Sequence, residues 1–124
     1  MTARLALTLA AIFLFAAVAA GAFGAHALKA KLAPELMAAY QTAVQYHFWH
    51  ALGLLAVGIL LQQRPDSGAL AAAAWLLAAG LVLFCGSLYA LSLTGVRGLG
   101  ALTPFGGVAF LAAWAALGWA AWRW

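Results

Sequence analysis

The stretch QYHFWHALGLLAVGILL, residues 45–61, decides how this chain is read. Its apolar part, 48–61, makes about 21 Å of helix at 1.5 Å per residue, short of a hydrocarbon core near 30 Å. A crossing helix must therefore reach back to about Ala43. That draws Gln45, Tyr46 and His47 into the interface and carries His50 into the membrane. Two histidines three residues apart, at the head of a segment built for lipid, are the feature to explain.

The rest of the chain supports a membrane setting. Of its 124 residues, 69% are hydrophobic and 6% charged, where a soluble domain carries about 25% charged residues. Three further apolar runs reach the roughly 20 residues that a crossing needs. The predicted fold class is all-α: a four-transmembrane-helix bundle, antiparallel up-down, with spans at approximately 5–25, 43–61, 69–93 and 102–122. Residues 1–124 are expected to form a single integral membrane domain. The first run resembles a secretion signal, but its apolar part is long for one, and a retained helix is expected.

The connections QQRPDSG (62–68) and TGVRGLG (94–100) carry turn chemistry. The segment LKAKLAPELMAAYQTA (28–43) is different, because Pro34 and Glu35 suit the first turn of a helix. That helix is either a short interfacial element between helices one and two or an N-terminal extension of helix two.

The basic residues Arg4, Lys29, Lys31, Arg64, Arg97 and Arg123 stand at the ends of apolar runs, with Glu35 and Asp66 as the acidic residues. Scattered in this way they read as interfacial anchors, without the clustered footprint of a nucleic-acid binder. Arg4, Arg64 and Arg123 mark the side of the termini; Lys29, Lys31 and Arg97 mark the other. The even split leaves orientation open under the positive-inside rule. Cys85, the single cysteine, allows no intramolecular disulfide and reads as a small buried hydrophobe.

Threading four antiparallel helices gathers most polar side chains into the leaflet opposite the termini. The candidate cluster is His26, Tyr46, His50, Ser87 and Tyr89, expected to be one connected group in which His50 meets a polar side chain of another helix. Its first reading is interhelical glue, with Gly21, Gly24, Gly86, Pro104, Gly106 and Gly107 at helix-packing positions. The second is a ligand, metal or haem site. His47 and His50 at i and i+3 share a helix face, His26 approaches from helix one, and imidazoles suit zinc, copper or haem iron. No HExxH or CxxC pattern accompanies them, and no cofactor is expected. The third is a small transporter acting as a dimer, for which only His50 offers a titratable group within the membrane. Ser87 and Cys85 lack a recognisable base and orienter, so no catalytic residues are assigned and no enzyme is expected.

The motifs GAFGAHALK (21–29), QYHFWHALGLL (45–55), LFCGSLYALSLTG (83–95) and LTPFGGVAFLAAW (102–114) together resemble the signatures of the YgdD/YwdK-like family. These are small bacterial inner-membrane proteins, with eukaryotic relatives, forming a domain of unknown function. The resemblance implies a four-span, multi-pass protein of the inner (plasma) membrane. By position it covers His26, Tyr46, His50, Gly86, Ser87, Tyr89, Pro104, Gly106 and Gly107. His47 stands where relatives are expected to carry glutamine, and Cys85 where serine is usual. A metal site would accordingly rest on His26 and His50, and His47 reads as an interfacial passenger. The expected role is that of a structural or accessory/interaction protein in the lipid bilayer, as a homo-oligomer or within a larger membrane complex.

Overall fold

Four helices, each long and apolar enough to cross a membrane, make up the computed structural model, which describes residues 1–124. They are α1 (Ala3–Leu28), α2 (Pro34–Gln63), α3 (Gly68–Thr94) and α4 (Arg97–Trp122). Local chemistry sets their ends. The Thr2 side-chain oxygen accepts the Leu5 N–H at 3.2 Å and caps α1. Ala33 is extended, as a residue before proline must be, and Pro34 opens α2. Ser67 caps α3 through the Leu70 N–H at 3.3 Å. Gly95 closes α3 in the left-handed region at φ +73°, where a side chain would be strained. A 3-10 turn over Arg97–Ala101 leads into the α-helical part of α4.

The connection after α1 holds no separate interfacial helix. Residues 34–42 are good helix formers behind a proline start, and they continue without a break into the span. At 30 residues α2 is about 45 Å long, so its first turns project beyond the hydrocarbon. The other three helices also overrun their expected limits. Hydropathy marks the edge of lipid, whereas hydrogen bonding marks the end of a helix.

α1 lies along α2, α4 lies along α3, and α2 meets α3 in the middle. In their most apolar stretches 44% of α2 and 39% of α3 are buried, against 17% of both α1 and α4. The core draws Ala6 and Ala10 from α1, Leu54, Val57 and Leu61 from α2, Leu70, Leu77, Leu81 and Cys85 from α3, and Phe110 and Ala113 from α4. Cys85 has the packing role expected of it. Phe15 and Val18 on α1, and Val108 and Leu111 on α4, point outward.

Contacts at both ends reflect the antiparallel order. On one side Arg97 Nη2 donates to Glu35 Oε1 at 2.6 Å, tying the start of α4 to the start of α2. On the other, Arg64 at the end of α2 lies 4.4 Å over the ring of Trp124.

Two π-helical turns interrupt the regular pitch, Gly24–Leu28 in α1 and Leu81–Cys85 in α3. Each coincides with a close approach of an aromatic residue. A Cβ at Gly24 would run into the Tyr40 ring, and one at Gly106 would run into the backbone of Phe84.

Candidate functional site

The polar side chains on the side of the α1–α2 and α3–α4 connections make one interhelical hydrogen bond for each pair of successive helices. Tyr40 on α2 donates its hydroxyl to the Ala20 carbonyl of α1. His47 Nδ1 on α2 and the Tyr89 hydroxyl on α3 are 2.8 Å apart. Ser87 Oγ on α3 and Thr103 Oγ1 on α4 are 2.6 Å apart. Each bond has a local cause. Gly24 leaves room for the Tyr40 ring, so its hydroxyl can reach the α1 backbone. Tyr40 and Tyr89 meet edge to face at 5.3 Å, which steers Tyr89 toward His47. The Ser87 hydroxyl donates to the Phe84 carbonyl at 3.0 Å on its own helix, which leaves Thr103 to donate to Ser87.

These bonds form separate pairs, and the single connected cluster expected from the sequence is not assembled. His26 is exposed at the end of α1, with no hydrogen-bond or ring partner. Ser87 joins Thr103, and Tyr89 joins His47. His50 donates Nδ1–H to the Tyr46 carbonyl of its own helix at 2.8 Å, and no polar side chain of another helix reaches it. Its ring is stacked on Phe110, with centroids 3.6 Å apart and planes within 16°. A histidine buried beside aromatic carbon satisfies one nitrogen on its own helix, and stacking covers a face of its ring.

The two histidines of α2 also exchange the roles expected of them. His47 is buried at 6% exposure, and bonds across helices, so it is no interfacial passenger. Its Nε2 is buried without a hydrogen-bond partner, and its ring meets Phe13 of α1 edge-on at 6.2 Å. The i, i+3 spacing does not give them a common neighbour. His47 faces α1 and α3, whereas His50 faces α4, because α2 sits in the middle of the bundle and is contacted on more than one side. No three His, Cys, Asp or Glu side chains come together in an arrangement suited to a metal ion.

Around His50 an aromatic stack takes the place of a polar cluster. Tyr46 lies over Phe84 at 4.4 Å and parallel to His50 at 5.5 Å, and Trp114 closes the far side at 5.7 Å from His50. Glycines admit these rings: a Cβ at Gly80 would overlap Phe110, and one at Gly53 would sit 2.9 Å from Trp114. Of the expected packing positions, Gly24 and Gly106 are such close approaches. Gly21 and Gly107 make ordinary contacts, with nearest distances of 3.6 and 3.9 Å, and Pro104 lies in the first turn of the α-helical part of α4. Gly86 meets nothing within 4 Å and packs against no helix. Tyr40, His47 and Thr103 were outside the expected cluster. The pairing of a small residue on one helix with a large aromatic on the next, as in Gly24 with Tyr40, is the signal that marks the first.

Residues 20–107 match the family described as "Protein of unknown function (DUF423)". The chain is 49% identical over 106 residues to the UPF0382 membrane protein YwdK of Bacillus subtilis, covering 86% of each chain. It is 48% identical over 101 residues to a UPF0382 membrane protein of Staphylococcus epidermidis, covering 82% of this chain and 81% of the relative. To the UPF0382 inner membrane protein YgdD of Escherichia coli it is 43% identical over 115 residues, covering 93% and 87%. No solved structure matches. With four helices fit to cross a membrane and relatives of this kind over most of its length, the chain belongs to the DUF423 family of small, multi-pass inner-membrane proteins.

Proposed function

We propose that this protein is a non-catalytic accessory protein of the inner membrane, working through helix-to-helix contact with another membrane protein or a second copy of itself. One observation carries the reading: Tyr40, His47, Ser87, Tyr89 and Thr103 are engaged in holding successive helices together. Such side chains act as glue between spans, which leaves the work of the molecule to its outer surfaces. Those surfaces are the apolar faces of α1 and α4, where Phe15 and Leu111 are 79% and 72% exposed.

The test is photo-crosslinking in living cells, with a photoreactive residue placed singly at Phe15, Val18, Val108 or Leu111. The expected result is a discrete protein adduct, of dimer mass or of a second membrane protein, confined to one of the two faces. Lipid adducts alone at all four positions would sink the proposal.

A further inference from the structure

At the end of the bundle that carries the termini, Arg64 and Arg123 line a cavity of about 160 Å³ together with Ser67, Leu70, Trp119 and Trp124. Both guanidinium groups are held over indoles: Arg64 Cζ lies 4.4 Å from the Trp124 ring centre, and Arg123 Cζ 5.4 Å from that of Trp119. Attraction to a ring positions a cation without consuming its hydrogen-bond donors. Neither guanidinium donates a hydrogen bond within the protein or joins an ion pair; the ion pair of this molecule, Arg97 with Glu35, is at the opposite end. Asp66, in the adjoining turn, pairs with neither arginine.

The same cavity opens on the start of α3. Ser67 Oγ accepts the Leu70 N–H, and the first N–H groups of that helix present the positive end of its dipole. Two arginines with free donors beside a helix start call for an anion with several acceptor oxygens, which a guanidinium takes two at a time. The depth of the cavity narrows the source. It lies at the last turns of α2 and α4, walled by the indoles of Trp119 and Trp124, and indoles settle at the headgroup level. Lipid phosphates occupy that level.

We propose that the Arg64–Arg123 cavity binds the phosphate of an anionic phospholipid, with both guanidinium groups on its oxygens and the start of α3 behind it. Free phosphate shares this chemistry, so the test separates the two. The full chain, purified in detergent, is titrated by native mass spectrometry with phosphatidylglycerol, with phosphatidylcholine of the same acyl chains, and with inorganic phosphate. Phosphatidylglycerol is expected to bind once per chain, about tenfold more tightly than phosphatidylcholine. The preference should vanish in Arg64→Gln/Arg123→Gln and persist in Arg97→Gln. Equal binding of the two lipids, a preference that survives the double substitution, or displacement of phosphatidylglycerol by millimolar inorganic phosphate would each overturn it. If the double variant loses its helical circular dichroism, the single variants decide: each should lose most of the preference, and retention in both overturns the site.

Discussion

His47 Nδ1 lies 2.8 Å from the Tyr89 hydroxyl and joins the two inner helices through groups that are otherwise surrounded by carbon. Three residues along, His50 is tied only to its own helix and rests on Phe110. Removing His47 leaves the Tyr89 hydroxyl unpaired, whereas removing His50 leaves no cross-helix donor or acceptor behind. In a double-mutant cycle, His47→Leu and Tyr89→Phe should couple by about 0.6 kcal/mol, the average for such bonds within membranes, and by no more than about 1.7 kcal/mol. His50→Phe should cost less than His47→Leu, as a ring exchanged for a ring of similar volume. Unfolding by sodium dodecyl sulfate in mixed micelles measures all of these. A larger cost at His50, or additive effects at His47 and Tyr89, would contradict this assignment.

Two glycines that look alike in sequence should behave oppositely. Gly106→Ala places a Cβ on the backbone of Phe84, which cannot step aside as a side-chain tip can. The same unfolding assay should show a loss of about 1–3 kcal/mol. Gly86 has open space around it, so alanine there should be neutral or gain up to about 1 kcal/mol from helix propensity. A loss at Gly86 as large as that at Gly106 would count against the packing described.

Both termini and residues 62–68 should report from one compartment, and Gly95 and Lys31 from the other. Arg64 over Trp124 and Arg97 with Glu35 hold these groups together at their respective ends. Cysteine accessibility in sealed vesicles, or reporter fusions, gives the answer. Opposite compartments for the two termini would remove one crossing.

The Arg97–Glu35 pair should contribute little to stability. Its side chains are 78% and 64% exposed, so water and salt screen the attraction. Arg97→Gln is expected to change unfolding free energy by less than about 1 kcal/mol, and by less again in high salt. A larger effect would mean that this end of the bundle is less open to water than its exposure indicates.

The spans, the glycine-rich turn over 94–100 and the proline start at Pro34 were legible in the sequence because each rests on local chemistry: hydropathy, turn residues, a missing N–H. The leaflet holding the polar groups was legible too, since antiparallel threading places each residue by its distance from a helix end. Which groups pair was not. A helix in the middle of a bundle has neighbours on several sides, so spacing along α2 could not tell that His47 faces Tyr89 while His50 faces Phe110. The π turns at 24–28 and 81–85 add to this, because they rotate the residues beyond them and leave no mark in hydrophobic periodicity. His26 lies in the first of them and ends up outside the group.

The three interhelical bonds, Tyr40 to Ala20, His47 to Tyr89 and Ser87 to Thr103, each join a helix to the one synthesised just before it. α1 rests mainly on α2 and α4 mainly on α3. Each span after the first therefore finds a partner already in the bilayer when it enters, and none has to wait for more than the next span to be made. Assembly can follow the order of translation, with every arriving helix offered one buried hydrogen bond that selects its rotation and register. That division of labour places specificity in a few polar atoms, while the surrounding alanine, leucine and glycine supply the fit.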